Sequence, residues 1–78
     1  MTNLGSQLRH DIDGLDEQIA DLILYRQDLA MCLTIWKNEN DLPEIDEGRS
    51  QQVSDFYAQI LGEGTGRDIA NLITNGVE

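Results

Sequence analysis

Five side chains of this 78-residue chain are basic, against 15 that are acidic, so each cation can be weighed for what its position would let it bind. Arg26 stands where a helical apolar stripe calls for a hydrophobic residue. A guanidinium there is costly unless it is ion-paired or holds an anion, and with so many carboxylates at hand both readings stay open. Lys37 follows eleven residues later, three helical turns on and on nearly the same face. Two such Cα atoms lie about 16 Å apart, so their long side chains can lean together around one small anion. Arg9 precedes Arg26 by seventeen residues, roughly 25 Å along the axis and on another side of a helix. It would share an anion with Arg26 only from an antiparallel partner chain, and is otherwise a solvated surface residue. Arg49 falls in the first turn of a later helix, where a cation opposes the helix dipole. A residue placed against its local preference points to a site. Arg67, beside a third helix start, has no such claim. Together these residues make a cationic pocket for a small polyanion, without naming a reaction.

The elements that must position them follow from the apolar pattern. Leu8, Ile12, Leu15, Ile19, Leu22, Leu29, Leu33 and Trp36 recur at alternating steps of four and three, the mark of a long helix with a seam for another helix. From Leu8 to Lys37 this helix would span roughly 45 Å, interrupted only by Gly14. Ser6 is the expected N-cap, and Asp11, Asp13, Asp16 and Glu17 crowd the positive end of the dipole. The helix should fray near Asn38–Asn40, and Pro43 forbids its continuation. Asp46 is the expected N-cap of a second helix with Val53, Phe56, Tyr57, Ile60 and Leu61 on its buried face. Gly62-Glu63-Gly64 should end it. Thr65 with Asp68 resembles a capping box for a short third helix, whose inner face would carry Ile69, Leu72, Ile73 and Val77. No strand signal is present. The expected class is all-α, a single domain over 1–78.

Size and charge narrow the rest. A compact monomer of this length has a radius of gyration of about 11–12 Å, and the residues outside the long helix are too few to cover its apolar side. An obligate homodimer with the long helices packed together is therefore expected. The net charge of −10 argues against nucleic acid, whose phosphates need a basic footprint. The single Cys32 cannot form an intrachain disulfide and reads as a small helix residue, and His10 as a surface residue beside Arg9. No signal-peptide pattern opens the chain and no apolar run approaches a membrane span, so a cytoplasmic protein with no membrane partner is expected.

Taken together, Leu8-Arg9-His10-Asp11-Ile12-Asp13-Gly14-Leu15-Asp16, then Arg26, Lys37 and Asp46-Glu47-Gly48-Arg49, resemble the all-α chorismate mutases. That family reads L-R-x-x-I-D-x-I-D, an R seventeen residues after the first, a K or R eleven later, then D-x-x-R-E. The likeness covers residues 8–61 well, and the set of spacings is more specific than any one element. It implies an intertwined homodimer of three-helix chains that converts chorismate to prephenate, with no cofactor, no metal and no covalent intermediate. Arg26, together with Arg9 from the partner chain, would hold the two substrate carboxylates. Lys37 would donate to the ether oxygen, and Asp46 and Arg49 would sit around the ring end. Such chemistry suits these residue types: a site of this kind restrains a compact conformer and stabilises the charge that develops on the ether oxygen.

The chain departs from the family in two places. Ser50 stands where the family usually has the Glu that binds the substrate hydroxyl, so a shorter, uncharged group takes that position. The family also commonly places Ser and then Gln or Glu four residues apart in its last helix, the latter on the ether oxygen. Thr74 and Glu78 have that spacing, but using them would turn Leu72 and Ile73 out of the core. With Leu72 and Ile73 inside, the second donor is missing and a slow enzyme is expected. Tyr57–Ala70 is also similar to a short subclass whose members are weak alone and are activated by docking on the first enzyme of the shikimate pathway. An activating enzyme of that pathway is thus a candidate partner, although the basic tail of that subclass is absent. Two other readings stand beside the mutase: the related isochorismate–pyruvate lyases, which share the arginines, and a non-catalytic helical dimerisation module.

Overall fold

The structure, a computed structural model, describes residues 3–78. Among these the chain is three helices and no strand: α1 (Leu4–Glu39), α2 (Glu47–Leu61) and α3 (Glu63–Thr74). The molecule is a rod of 62 × 25 × 13 Å with a radius of gyration of 16.7 Å, well beyond the compact value of about 12 Å for this length.

Helix α1 begins four residues before Leu8. Asn3, not Ser6, is its N-cap: the Asn3 side-chain oxygen accepts the Ser6 amide at 3.2 Å, which places Ser6 inside the first turn. That shift leaves the first turn without an acidic side chain, so the Asp-rich stretch lies beyond the turn where the dipole acts most strongly. At the other end Asn40 is the C-cap, and Asp41 takes a left-handed φ of 55° that turns the chain back. The Leu42 amide then bonds to the Lys37 carbonyl at 2.9 Å.

Asp46 caps α2 as expected, accepting the Arg49 amide at 3.0 Å. Gly62, at φ 95°, ends α2 and at once serves as the N-cap of α3, which starts at Glu63. The anticipated Thr65–Asp68 box is therefore not used, because Thr65 already lies within the helix. A single residue between two helices folds them into a tight hairpin. Gly66 makes that possible: a Cβ built there would stand 2.3 Å from the Tyr57 carbonyl oxygen.

The close crossing decides which face of α3 is buried. Gly66, Ala70 and Thr74, one residue per turn and all small, press on α2 and are buried, while Ile69 and Ile73 flank them half-buried. Leu72, expected inside, is 76% exposed. A hydropathy pattern favours large apolar residues, whereas a backbone-to-backbone crossing selects small ones. On α2, Val53 and Ala58 are buried and Tyr57 is half-buried. Phe56, Ile60 and Leu61, also expected inside, face outward in this chain, although the Phe56 ring meets Tyr57 edge-on at 5.4 Å between centroids. Arg67 ties the hairpin from outside through Asp55 and Ser54 of α2, and also bonds to Glu63 within α3. The stripe of α1 has no such cover: Leu8, Ile12, Leu15 and Ile19 are each more than half exposed.

A candidate anion site at the C-terminal end of the long helix

The helical period carries Arg26 and Lys37 to the same side of α1, facing the end of α3. Beyond Thr74 the chain reverses through two successive left-handed residues, Asn75 and Gly76, at φ 53° and 67°. Thr74 steadies the turn, its hydroxyl oxygen accepting the Gly76 amide and its carbonyl the Val77 amide. The reversal brings Glu78 onto both cations. Arg26 grips the Glu78 carboxylate with two nitrogens, Nη1 to Oε2 at 3.0 Å and Nη2 to Oε1 at 2.5 Å. Lys37 Nζ donates to the Glu78 carbonyl and the Glu44 carbonyl, each at 2.9 Å.

Lys37 and Glu78 are both buried, at 7% exposure each. The two oxygens on the ammonium are main-chain oxygens, those of Glu44 and Glu78, and no Asp or Glu side chain among the described residues pairs with it. A buried ammonium must keep hydrogen-bond acceptors or an anion around it. Arg26 differs: hydrogen bonding to Glu78 raises its pKa above the ordinary guanidinium value, burial acts against this, and Tyr57 adds to it. It stays charged at any pH the protein meets.

An open cleft of about 870 Å³ lies beside Lys37, with Trp36, Leu42 and Ile45 as apolar wall and Asp46, Arg49 and Glu78 as polar groups. Arg49 also borders a cleft of about 360 Å³ with Arg26 and Tyr57, and one of about 210 Å³ with Arg26 and Glu78. The structure thus places Lys37 and Asp46 on one hollow and Arg26 on two others, all three of them bordered by Arg49. One Asp46 oxygen is committed to its cap.

Two of the expected site residues lie elsewhere. Arg9 is exposed, makes no ion pair among the described residues, and sits almost five turns from Arg26 on the same helix. Ser50 lines a separate hollow of about 250 Å³ with Ser54, Arg67, Asn71 and Thr74, where its buried hydroxyl has no hydrogen-bond partner. Conversely, Glu78 belongs to the site although the preferred reading of the sequence left it out. Its signal was the Thr74–Glu78 spacing, outweighed there by the apolar pull of Leu72.

In chemical terms these hollows offer cations and hydrogen-bond donors. No cluster of residues suited to a metal ion occurs among the described residues, and Cys32 is exposed. Against known proteins, the chain matches no family model, no curated protein and no solved structure. No described helix is long and apolar enough to cross a membrane.

Proposed function

We propose that the chain is a chorismate mutase acting as an intertwined homodimer. The observation that carries the reading is the convergence of Arg26 and Lys37 on one carboxylate-bearing residue beside a cleft edged by Asp46 and Arg49. These are four of the positions on which the family resemblance rests. In this reading Arg26 holds one carboxylate of chorismate and Arg9 of the partner subunit the other. Lys37 donates to the ether oxygen as the C–O bond breaks, and Arg49 and Asp46 bound the ring end. Rate enhancement comes from restraining a compact conformer and from a fixed ammonium where negative charge develops. Neither a general base nor a cofactor is required. The half-exposed stripe of Leu8, Ile12, Leu15 and Ile19 supports a second copy as its cover, which would also bring in the distant Arg9. An activating enzyme of the shikimate pathway remains part of the proposal for a site with few donors.

Ser50 favours a second reading. With no carboxylate at that position and its hydroxyl in another hollow, the group that would bind the substrate hydroxyl has no counterpart, and an isochorismate–pyruvate lyase becomes the competitor. Incubation of the purified chain with chorismate and with isochorismate separates the two, through prephenate on one side and salicylate plus pyruvate on the other. Mutase activity should fall by about 10²–10³ in Lys37→Ala, the scale of losing one transition-state donor, and specific activity should drop on dilution. Full turnover in both Arg26→Ala and Lys37→Ala would leave a non-catalytic dimerisation module as the better account.

A further inference from the structure

We infer that the arm after α3, residues 75–78, is a built-in competitor for the anion site, and that a small dicarboxylate must lift Glu78 off Arg26 and Lys37 to bind. The inference rests on Arg26 and Lys37 forming an anion site, and not on which reaction occurs there.

The donor inventory carries it. The two terminal nitrogens of Arg26 each give one N–H to the Glu78 carboxylate, so the end-on fork is taken although three of the five N–H donors remain. Lys37 has three donors, and two are held by the Glu78 and Glu44 carbonyls. One residue therefore presents its side-chain carboxylate to one cation and its main-chain oxygen to the other. An incoming dicarboxylate cannot take the end-on bidentate fork of Arg26 while Glu78 holds it. Residues 75–78 follow α3 through the left-handed pair Asn75 and Gly76, and the hydrogen bonds that join them to α1 are all made by Glu78, so loss of those contacts alone frees the two cations. Because the ligand binds only the arm-open form, its apparent affinity is reduced by the fraction of molecules in that form.

The test uses L-malate as the dicarboxylate probe, with Glu78→Ala and Glu78→Gln. Binding is followed by calorimetry and by the fluorescence of Trp36, the sole tryptophan, which lines the cleft. Both substitutions should tighten malate binding by about tenfold or more, the scale of releasing a charge-assisted hydrogen-bonded pair. In the unmodified chain, malate should shift the Val77 and Glu78 amide resonances to solvent-exposed positions with the same saturation curve. Unchanged or weaker binding in both variants overturns the inference, because Glu78 would then be a bystander or a wall of the ligand site. Absence of malate binding in all three proteins overturns the anion site and the inference with it. Chorismate turnover with no tightening defeats the competitor alone. Tightening without turnover of chorismate defeats the mutase reading and leaves the competitor standing.

Discussion

Replacing Gly66 by alanine should unseat α3. An added Cβ would meet the Tyr57 carbonyl oxygen at 2.3 Å and the Ala58 Cα at 2.5 Å, whereas ordinary contact begins near 3.4 Å. Both obstacles are backbone, so no rotamer change relieves the overlap and the helices must separate by roughly 1 Å. Overpacking of this kind costs about 1–3 kcal/mol, and a rigid backbone obstacle belongs at the upper end. Against it stands the better helix propensity of alanine, about 1 kcal/mol. The net loss is about 1–2 kcal/mol, equivalent to a fall of roughly 1 M in the urea midpoint for a slope near 1–2 kcal/mol/M. Measurements belong at one protein concentration, since an oligomer's midpoint depends on it. Gly14→Ala supplies the control: nothing lies within 4 Å of its Cβ position, so the same change should raise the midpoint through propensity alone. A Gly66→Ala midpoint equal to or above that of the unmodified chain would refute the close crossing of α2 and α3.

Other outcomes follow from single contacts. Asn3→Ala should remove the cap on α1, cost about 1 kcal/mol, and speed exchange of the Ser6 amide that the side chain now holds; unaltered exchange would contradict the cap. Asp55 is held below the ordinary carboxylate range by its hydrogen bond from Arg67, with Gln51 adding to it. Its contribution to stability is complete above the unfolded value of about 3.9 and lost as pH falls through the lower folded one. Asp55→Asn should accordingly flatten the acid limb of a stability–pH curve below about pH 4, and an identical limb would dismiss the pairing. Leu15→Glu changes a residue that is 56% exposed in the single chain, so it should leave helix content intact. If the proposed homodimer packs on this stripe, sedimentation should show the variant shifted to a monomer, whereas an unshifted species would place any contact between copies elsewhere.

The order of the helices, the end of α1 and both ends of α2 were legible because long apolar periods and strong punctuation agree: the stripe of α1, Pro43, the Asp46 cap and Gly62; the starts of α1 and α3 were not. Nor was the face of α3. Leu72 and Ile73 outscore Gly66, Ala70 and Thr74 in any hydropathy pattern, yet Gly66 at the crossing admits the Tyr57 backbone, and its neighbours one and two turns on must be small as well. Once those residues face α2, Leu72 turns outward and Thr74 turns in. The chain beyond Thr74 is then aimed at α1, which is why Glu78 arrives at Arg26. On the site, the spacing put Arg26 and Lys37 on one side of a helix, and in the structure both reach Glu78, one at its side chain and the other at its main-chain oxygen. The spacing left open whether Arg26 was ion-paired or free for a ligand, and the structure shows the pair. The position of Ser50 could not be read from its neighbour Arg49, because adjacent helical residues point about 100° apart and here open onto different hollows.

Lys37 joins segments of very different separation, reaching seven residues ahead to Glu44 and 41 ahead to Glu78. For flexible chains, closing the longer loop costs about 1.5 kcal/mol more in entropy than closing the shorter one. Once α1 has formed, the short closure can follow with little delay and shape the bend that starts α2. The long one must wait until the α2–α3 hairpin is in place. The same ammonium therefore marks both an early and a late event in folding, with the C-terminal tie the last to form and the first to open.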